Sequence, residues 1–127
     1  MRSLNKVLLI GNLTRDPEIT DTEGGVKKGW FTIATNRNWT SRNGEKKEHT
    51  DFHNIVVWRK LAELCSAHLK KGSAVLIEGA LKNNQFTGRD GEAKKNTEVH
   101  AEEVNFITYR RNRDEDQINL VTVEEEV

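Results

Sequence analysis

Only one stretch of this chain carries helical periodicity, and it sits between segments patterned as strands and turns. From Lys60 to Lys70, the residues Leu61, Leu64, Cys65 and Leu69 recur at i, i+3, i+4 and i+8, which places them on one helix face. Lys70 and Lys71 complement the negative end of that helix, and Gly72 suits the position just beyond it. Before the helix, Asn5 to Leu13 reads as a strand that runs into turn chemistry at Gly11-Asn12 and Asp16-Pro17. Thr22 to Gly25 is a further turn signal. Lys28 to Asn36 predicts a second strand, with Phe31 and Ile33 pointing one way and Trp30, Thr32 and Ala34 the other. Asn38 to Thr50 is polar around Asn43-Gly44, as in a hairpin loop or ribbon tip, and Asp51 to Trp58 predicts a third strand.

Two strands follow the helix. Ser73 to Lys82 is the first, with Gly79 as a bulge or bend. Asn83 to Lys95, with Gly88 and Asp90-Gly91, predicts a long hairpin loop. Asn96 to Tyr109 is the last strand, with Thr97, Val99 and Ala101, then Val104 and Phe106, as inward positions. The change of phase near Glu102-Glu103 predicts a bulge. The resulting order, β-β-β-α-β-β, is that of an OB-fold: an all-β, five-stranded Greek-key barrel with one helix. The expected division is a barrel domain over residues 1–109 and a short acidic tail over 110–127.

The chain has 127 residues, enough to bury a core unaided, and one cysteine, which excludes an intramolecular disulfide. The apolar run Val7 to Ile10 is too short for a signal peptide or a membrane span, so a soluble, cytoplasmic protein is expected. A net charge of zero argues at first against nucleic acid, but the distribution is uneven. Residues 1–111 hold 19 Lys/Arg against 14 Asp/Glu, whereas residues 112–127 hold Arg113 against six acids. A basic body with an acidic tail is the pattern of a chain with an interaction segment.

Trp39, Phe52, Trp58 and Phe86 lie on predicted strands and loops among these cations. An exposed ring offers a face on which any nucleobase stacks, worth about 1–3 kcal/mol per base, while a nearby cation holds the phosphate. The alternative is that the rings fill the core, and the pattern leaves both open. His49, Asp51 and His53 form H-x-D-x-H, but no Cys or further His completes a metal shell. There is no nucleophile–base set, phosphate-cradling glycine loop or carboxylate pair, so no enzyme, metal or cofactor is expected.

Five segments carry a resemblance: LNKVLLIGNLTRDPEI, FTIATNRNW, NGEKKEHTDFHNIVVWRKLAELC, LKKGSAVLIEGAL and TEVHAEEVNFI. In this order and spacing, over residues 3–107, the chain resembles the bacterial-type single-stranded DNA-binding proteins. The resemblance implies sequence-independent binding and protection of single-stranded DNA in replication, recombination and repair, in the cytoplasm with the nucleoid. It implies base stacking on Trp39, Phe52, Trp58 and Phe86. It also implies phosphate neutralisation by Arg2, Lys6, Arg37, Lys47, Lys60, Lys71 and Lys82, with Arg2 and Arg37 foremost because Arg both pairs and stacks. His53 stands where the family builds its subunit interface, implying a homotetramer made of dimers, with a dimer as the smaller form.

Three departures stand out. Asn83-Asn84-Gln85-Phe86 lacks the cations common in relatives, which predicts a weaker electrostatic grip and a shallower salt dependence. Trp30 replaces a small or polar residue and is either an extra stacking platform or an interface residue. The C-terminus, DEDQINLVTVEEEV, has no Gly/Gln/Pro-rich linker and no Pro-Phe tip, so recruitment of replication and repair enzymes does not carry over. A short phage-encoded or paralogous form is expected, its tail either a divergent partner segment or a local element that adds a strand or competes with DNA. The rival function is an OB-fold protein-interaction subunit, and the residues alone do not distinguish DNA from RNA.

Overall fold

Alternation of inward apolar and outward polar residues closes the sheet of this chain into a barrel. The computed structural model describes residues 2–111 and 116–122. Strand β1 (Val7–Leu13) turns Val7, Leu9 and Leu13 inward, and β3 (Lys27–Thr40) contributes Phe31 and Ile33. Strand β4 (Lys46–Trp58) adds Ile55 and Val57, β5 (Ala74–Thr87) adds Val75 and Ile77, and β6 (Ala93–Arg111) adds Val99 and Val104. Helix α1 (Arg59–His68) packs Leu61, Ala62 and Cys65 against them, with Leu69 just past its end. Each fully buried Val, Leu, Ile or Phe among them favours folding by about 1.5–3 kcal/mol.

The ladder runs β1-β5-β6-β4-β3, and β3 returns to β1 at Asn12–Ala34 and Leu13–Ile33. These are the five expected strands in the expected order around the expected helix, and they form the barrel of an OB-fold. Phe31 and Ile33 are buried while Trp30 is exposed on the opposite side, as the alternation predicts. The bulge is present too: Glu78 pairs with Glu103 and Gly79 with Ala101, leaving Glu102 unmatched. Gly79 is required there because a Cβ would run into the His100 carbonyl.

The structure departs from the sequence reading in four places. Strand β2 (Glu18–Asp21) is exposed throughout, so no alternation marks it; backbone pairing to β3 and a 2.8 Å ion pair between Lys27 and Asp21 hold it. The expected loops are mostly ribbon. The β3–β4 ladder continues to Thr40–Lys46 and the β5–β6 ladder to Thr87–Ala93, each turning through a positive-φ glycine, Gly44 and Gly91. Polar cross-strand bonds stand in for apolar alternation along both ribbons: Thr50 donates to Asn36 and Thr97 to Asn83, each at 2.8 Å. Thr97, expected inward, therefore lies exposed on a ribbon. Finally, α1 ends at His68 with Leu69 as its C-cap, so Gly72 serves the Lys70–Ser73 turn, at φ 90°, and not the helix end.

Strand β6 runs to Arg111, and β7 (Asp116–Thr122) pairs antiparallel with it from Asn105–Thr122 to Arg111–Asp116. An added strand is one of the local roles considered for this segment. Asp114, Glu115, Glu124, Glu125 and Glu126 of the expected acidic tail, with Arg113, lie outside the described residues.

Two expectations test this packing. Gly79→Ala should lower stability by about 1–3 kcal/mol, read as a reduced urea midpoint, because backbone must move to admit the methyl. Burial pushes the Cys65 thiol up from 9.0 to about 12, which keeps it neutral in the folded state. Native protein at pH 8 should thus resist iodoacetamide until unfolded. Because the folded value is the raised one, this contribution is intact below pH 9 and stability should fall as pH climbs from 9 towards 12.

Candidate nucleic-acid interface

The β3–β4 register decides which side chains face outward together. Phe52 stands opposite Ala34, Asn54 opposite Thr32, Val56 opposite Trp30 and Trp58 opposite Lys28. Their neighbours Ile55 and Val57 point into the core, so this set points away from it. Phe52 is 66% exposed and is not a core residue. The same side continues across β6 and β5, where Val56 adjoins His100, Ala80 faces His100, Lys82 faces Glu98 and Phe86 faces Lys94. Phe52, Trp58 and Phe86 are thus brought to one side of a continuous ladder, and Phe86 is on a strand, not in a loop.

Trp39 is not with them. It occupies the opposite side of the β3–β4 ribbon, the side of Arg37 and Lys47. There the Arg37 guanidinium lies 5.9 Å from the Trp39 ring; a groove of about 580 Å³ at the ribbon tip is lined by Trp39 and Lys47 together with Asn38, Thr40, Lys46 and Glu48, whose parity is that of the other side. At an exposed site such a cation–π contact contributes about 0.5–1 kcal/mol.

Trp58 is the most firmly held of the four rings. Lys28 Nζ sits over it at 5.6 Å, and its indole N–H donates to His100 Nδ1 at 3.2 Å. An Nδ1 that accepts puts the imidazole proton on Nε2, which faces Glu98 Oε1 at 3.4 Å. Glu98 also accepts from the Asn84 amide, so three strands converge on this ring. The next residue, Arg59, has φ 57° and turns the chain from β4 into α1 directly behind Trp58. Lys28 and His100 were invisible to sequence reasoning, since only the register brings them to Trp58.

The expected phosphate ligands are dispersed, and several already have partners. Lys6 is ion-paired with Glu78; that carboxylate raises the lysine above its usual range, and the lysine holds Glu78 below its own. Arg37 lies 3.4 Å from Asp51, and Lys47 lies 3.1 Å from Glu45. Lys82 is exposed on the ring-bearing side, and Arg2 is exposed ahead of β1. Lys60 on α1 and Lys71 in the following turn are exposed on elements that contribute nothing to the Trp39 groove. His53 is half-buried opposite Ile33, with Nε2 2.9 Å from the Thr35 hydroxyl, whereas His49 pairs with Asp51 at 3.0 Å. The H-x-D-x-H residues thus engage different partners, and among the described residues no group of three or more His, Cys, Asp or Glu is placed to hold a metal.

Comparison with known proteins gives the geometry a context. Residues 4–107 match the single-strand binding protein family. The chain is 41% identical over 105 residues to a single-stranded DNA-binding protein of Neisseria meningitidis, covering 83% of this chain and 60% of that one. It is 42% identical over 107 residues to one of Bacillus cereus, covering 84% and 62% respectively. It therefore spans about three-fifths of the length of these relatives. Among solved structures, a Plasmodium falciparum protein of this kind in complex with single-stranded DNA superposes with a TM-score of 0.75. It is 31% identical, with 98% of each chain covered.

The strained turn behind Trp58 yields a prediction of sign. Left-handed backbone costs a non-glycine residue about 1–2 kcal/mol, and more when the side chain is β-branched. Arg59→Gly should hold or slightly raise the thermal midpoint, and Arg59→Val should lower it; the reverse order in calorimetry would contradict this backbone geometry.

Proposed function

The chain belongs to the single-strand binding protein family, and from that membership we propose that it binds single-stranded DNA without reading its sequence. The observation that carries this reading is the outward display of Phe52, Trp58 and Phe86 along one side of the ladder, with Lys28, Lys82 and Lys94 interleaved. Unpaired bases stack on the rings while the lysines follow the phosphates. Duplex DNA is disfavoured because its bases already stack on one another. Trp39, on the far side of its ribbon, engages a strand that wraps over the ribbon edge. Holding the strand prevents hairpins and shields it in replication, recombination and repair, in the cytoplasm with the nucleoid. The protein acts by binding and catalyses no reaction, with residues 1–109 as the binding domain and 110–127 as its tail.

Because Lys6, Arg37 and Lys47 already face carboxylates, they exchange one anion for another on binding. Few counterions are then released, and affinity depends only modestly on salt. Arg2, Lys60 and Lys71 serve a strand passing beyond the rings.

We further propose that the chain self-associates, as a dimer or as a homotetramer made of two dimers. Leu8 and Ile10 are 63% and 57% exposed on the outer side of β1, whose pairing to β3 is confined to Asn12 and Leu13. His53 is a second contact of that association, on the side of the sheet shared with Thr35 and Gly11 and not on the side of Leu8 and Ile10.

Tryptophan emission should be quenched by oligo(dT) but barely by duplex DNA. Phe52→Ala and Trp58→Ala should each weaken oligo(dT) binding by about 1–3 kcal/mol, with Phe52→Ala leaving the thermal midpoint unchanged. Unaltered affinity in both variants would remove the stacking role. A Leu8→Asp/Ile10→Asp chain should sediment as a smaller species than wild type; equal masses would place the interface elsewhere.

A further inference from the structure

Between Phe52 and Trp58 lie about 20 Å of strand at about 3.4 Å per residue, and none of the expected ring positions falls in that interval. Trp30 does. It stands across from Val56, on the same outward side as both rings, and is 37% exposed. With Val56 it lies in a groove of about 460 Å³ bordered by Thr20, Thr22, Asn54 and Glu98. Val56 lies beneath on the outer side of the sheet but is covered, at 1% exposed, so the apolar surface on offer is the indole of Trp30. The rim is divided by charge. Lys28 marks one end beside Trp58, and the Glu98 carboxylate marks the other flank, where it repels a phosphate. Thr32 and Asn54, bonded to one another at 3.1 Å, offer polar groups at the depth of a base edge. A flat apolar ring and an anion-repelling wall suit a nucleobase and exclude its backbone.

Resting on the single-stranded DNA reading, we propose that Trp30 is a fifth stacking platform, seating one unpaired base against its indole between the bases held by Phe52 and Trp58. The phosphate of that nucleotide lies towards Lys28. This makes the β3–β4 face a continuous path, and it assigns Trp30 to ligand binding and not to a subunit interface.

The test uses the full chain carrying Trp39→Phe and Trp58→Phe, which keeps a ring at both sites and leaves Trp30 as the sole tryptophan. Binding is followed independently by anisotropy of fluorescein-labelled oligo(dT). Trp30 emission should be quenched in step with the anisotropy. In the otherwise wild-type chain, Trp30→Ala should weaken oligo(dT) binding about 5- to 150-fold, with Trp30→Phe restoring most of it. Oligo(dT) binding without a change in Trp30 emission, or unchanged affinity in Trp30→Ala, overturns the assignment and leaves single-stranded DNA binding standing. Unchanged affinity per subunit together with a different sedimenting mass assigns Trp30 to an interface instead. Absence of oligo(dT) binding by the wild-type chain removes the parent reading and this inference with it.

Discussion

The pairing of β3 with β4, from Lys28–Trp58 to Thr40–Lys46, is the constraint from which the rest of the molecule follows. Side chains alternate across a sheet, so a slip of one residue would exchange the two sides of β4. Ile55 and Val57 would then face water, and Phe52 and Trp58 would enter the core. The core is thus what enforces the register, and the register is what puts rings on the surface. Buried Phe31, Ile33, Ile55 and Val57 position the face without touching it.

Exposed rings carry a cost, because a large apolar side chain in water gains nothing from the fold and invites association. The four expected rings meet it differently. Trp58 is half-covered, with Lys28 over its face and His100 on its indole N–H, and Trp39 lies under a guanidinium. Phe52 and Phe86 have no such cover among the ring contacts of the described residues, and Phe52 is the most open of the four. On the proposed reading, preordered Trp58 would give up little rotamer freedom on meeting a base, whereas Phe52 and Phe86 would adapt. The cations are tempered in the same way, since Lys6, Arg37 and Lys47 sit against acids. In the proposed binding mode, this leaves stacking as the dominant attraction.

Much of this was legible in the sequence, for identifiable reasons. The barrel strands alternate cleanly, the helix has a clear apolar face, and Gly79 together with the phase change at Glu102 announced the bulge. Strand β2 gave no signal because all four of its residues are exposed. The β5–β6 ribbon was read as a loop because polar cross-strand bonds, such as Thr97 to Asn83, hold it without an apolar stripe, whereas a ribbon tip was one of the two forms expected for Asn38 to Thr50. Trp39, Phe52, Trp58 and Phe86 were visible as residues, but their sides of the sheet were not. Parity along a strand relates neighbours within that strand; only pairing relates Trp58 to Lys28 and His100.

The barrel is not equally bound all the way round. The backbone ladder between β4 and β6 is limited to Ile55 with Val99 and Val56 with His100, in parallel, whereas the β3–β4 and β5–β6 ladders run for the full length of their ribbons. That short contact is a seam between two stiff arms, and its parallel pairing is the weaker kind per residue. Opening there would part the arms like the leaves of a hinge and leave each ribbon intact. Val56 and His100 both sit on the seam and on the outward side, so a strand of nucleic acid lying across them spans the joint. Bound there, it would act as a splint, stiffening the barrel at one of the two places, with the β1–β3 closure, where its ladder is only two pairs long.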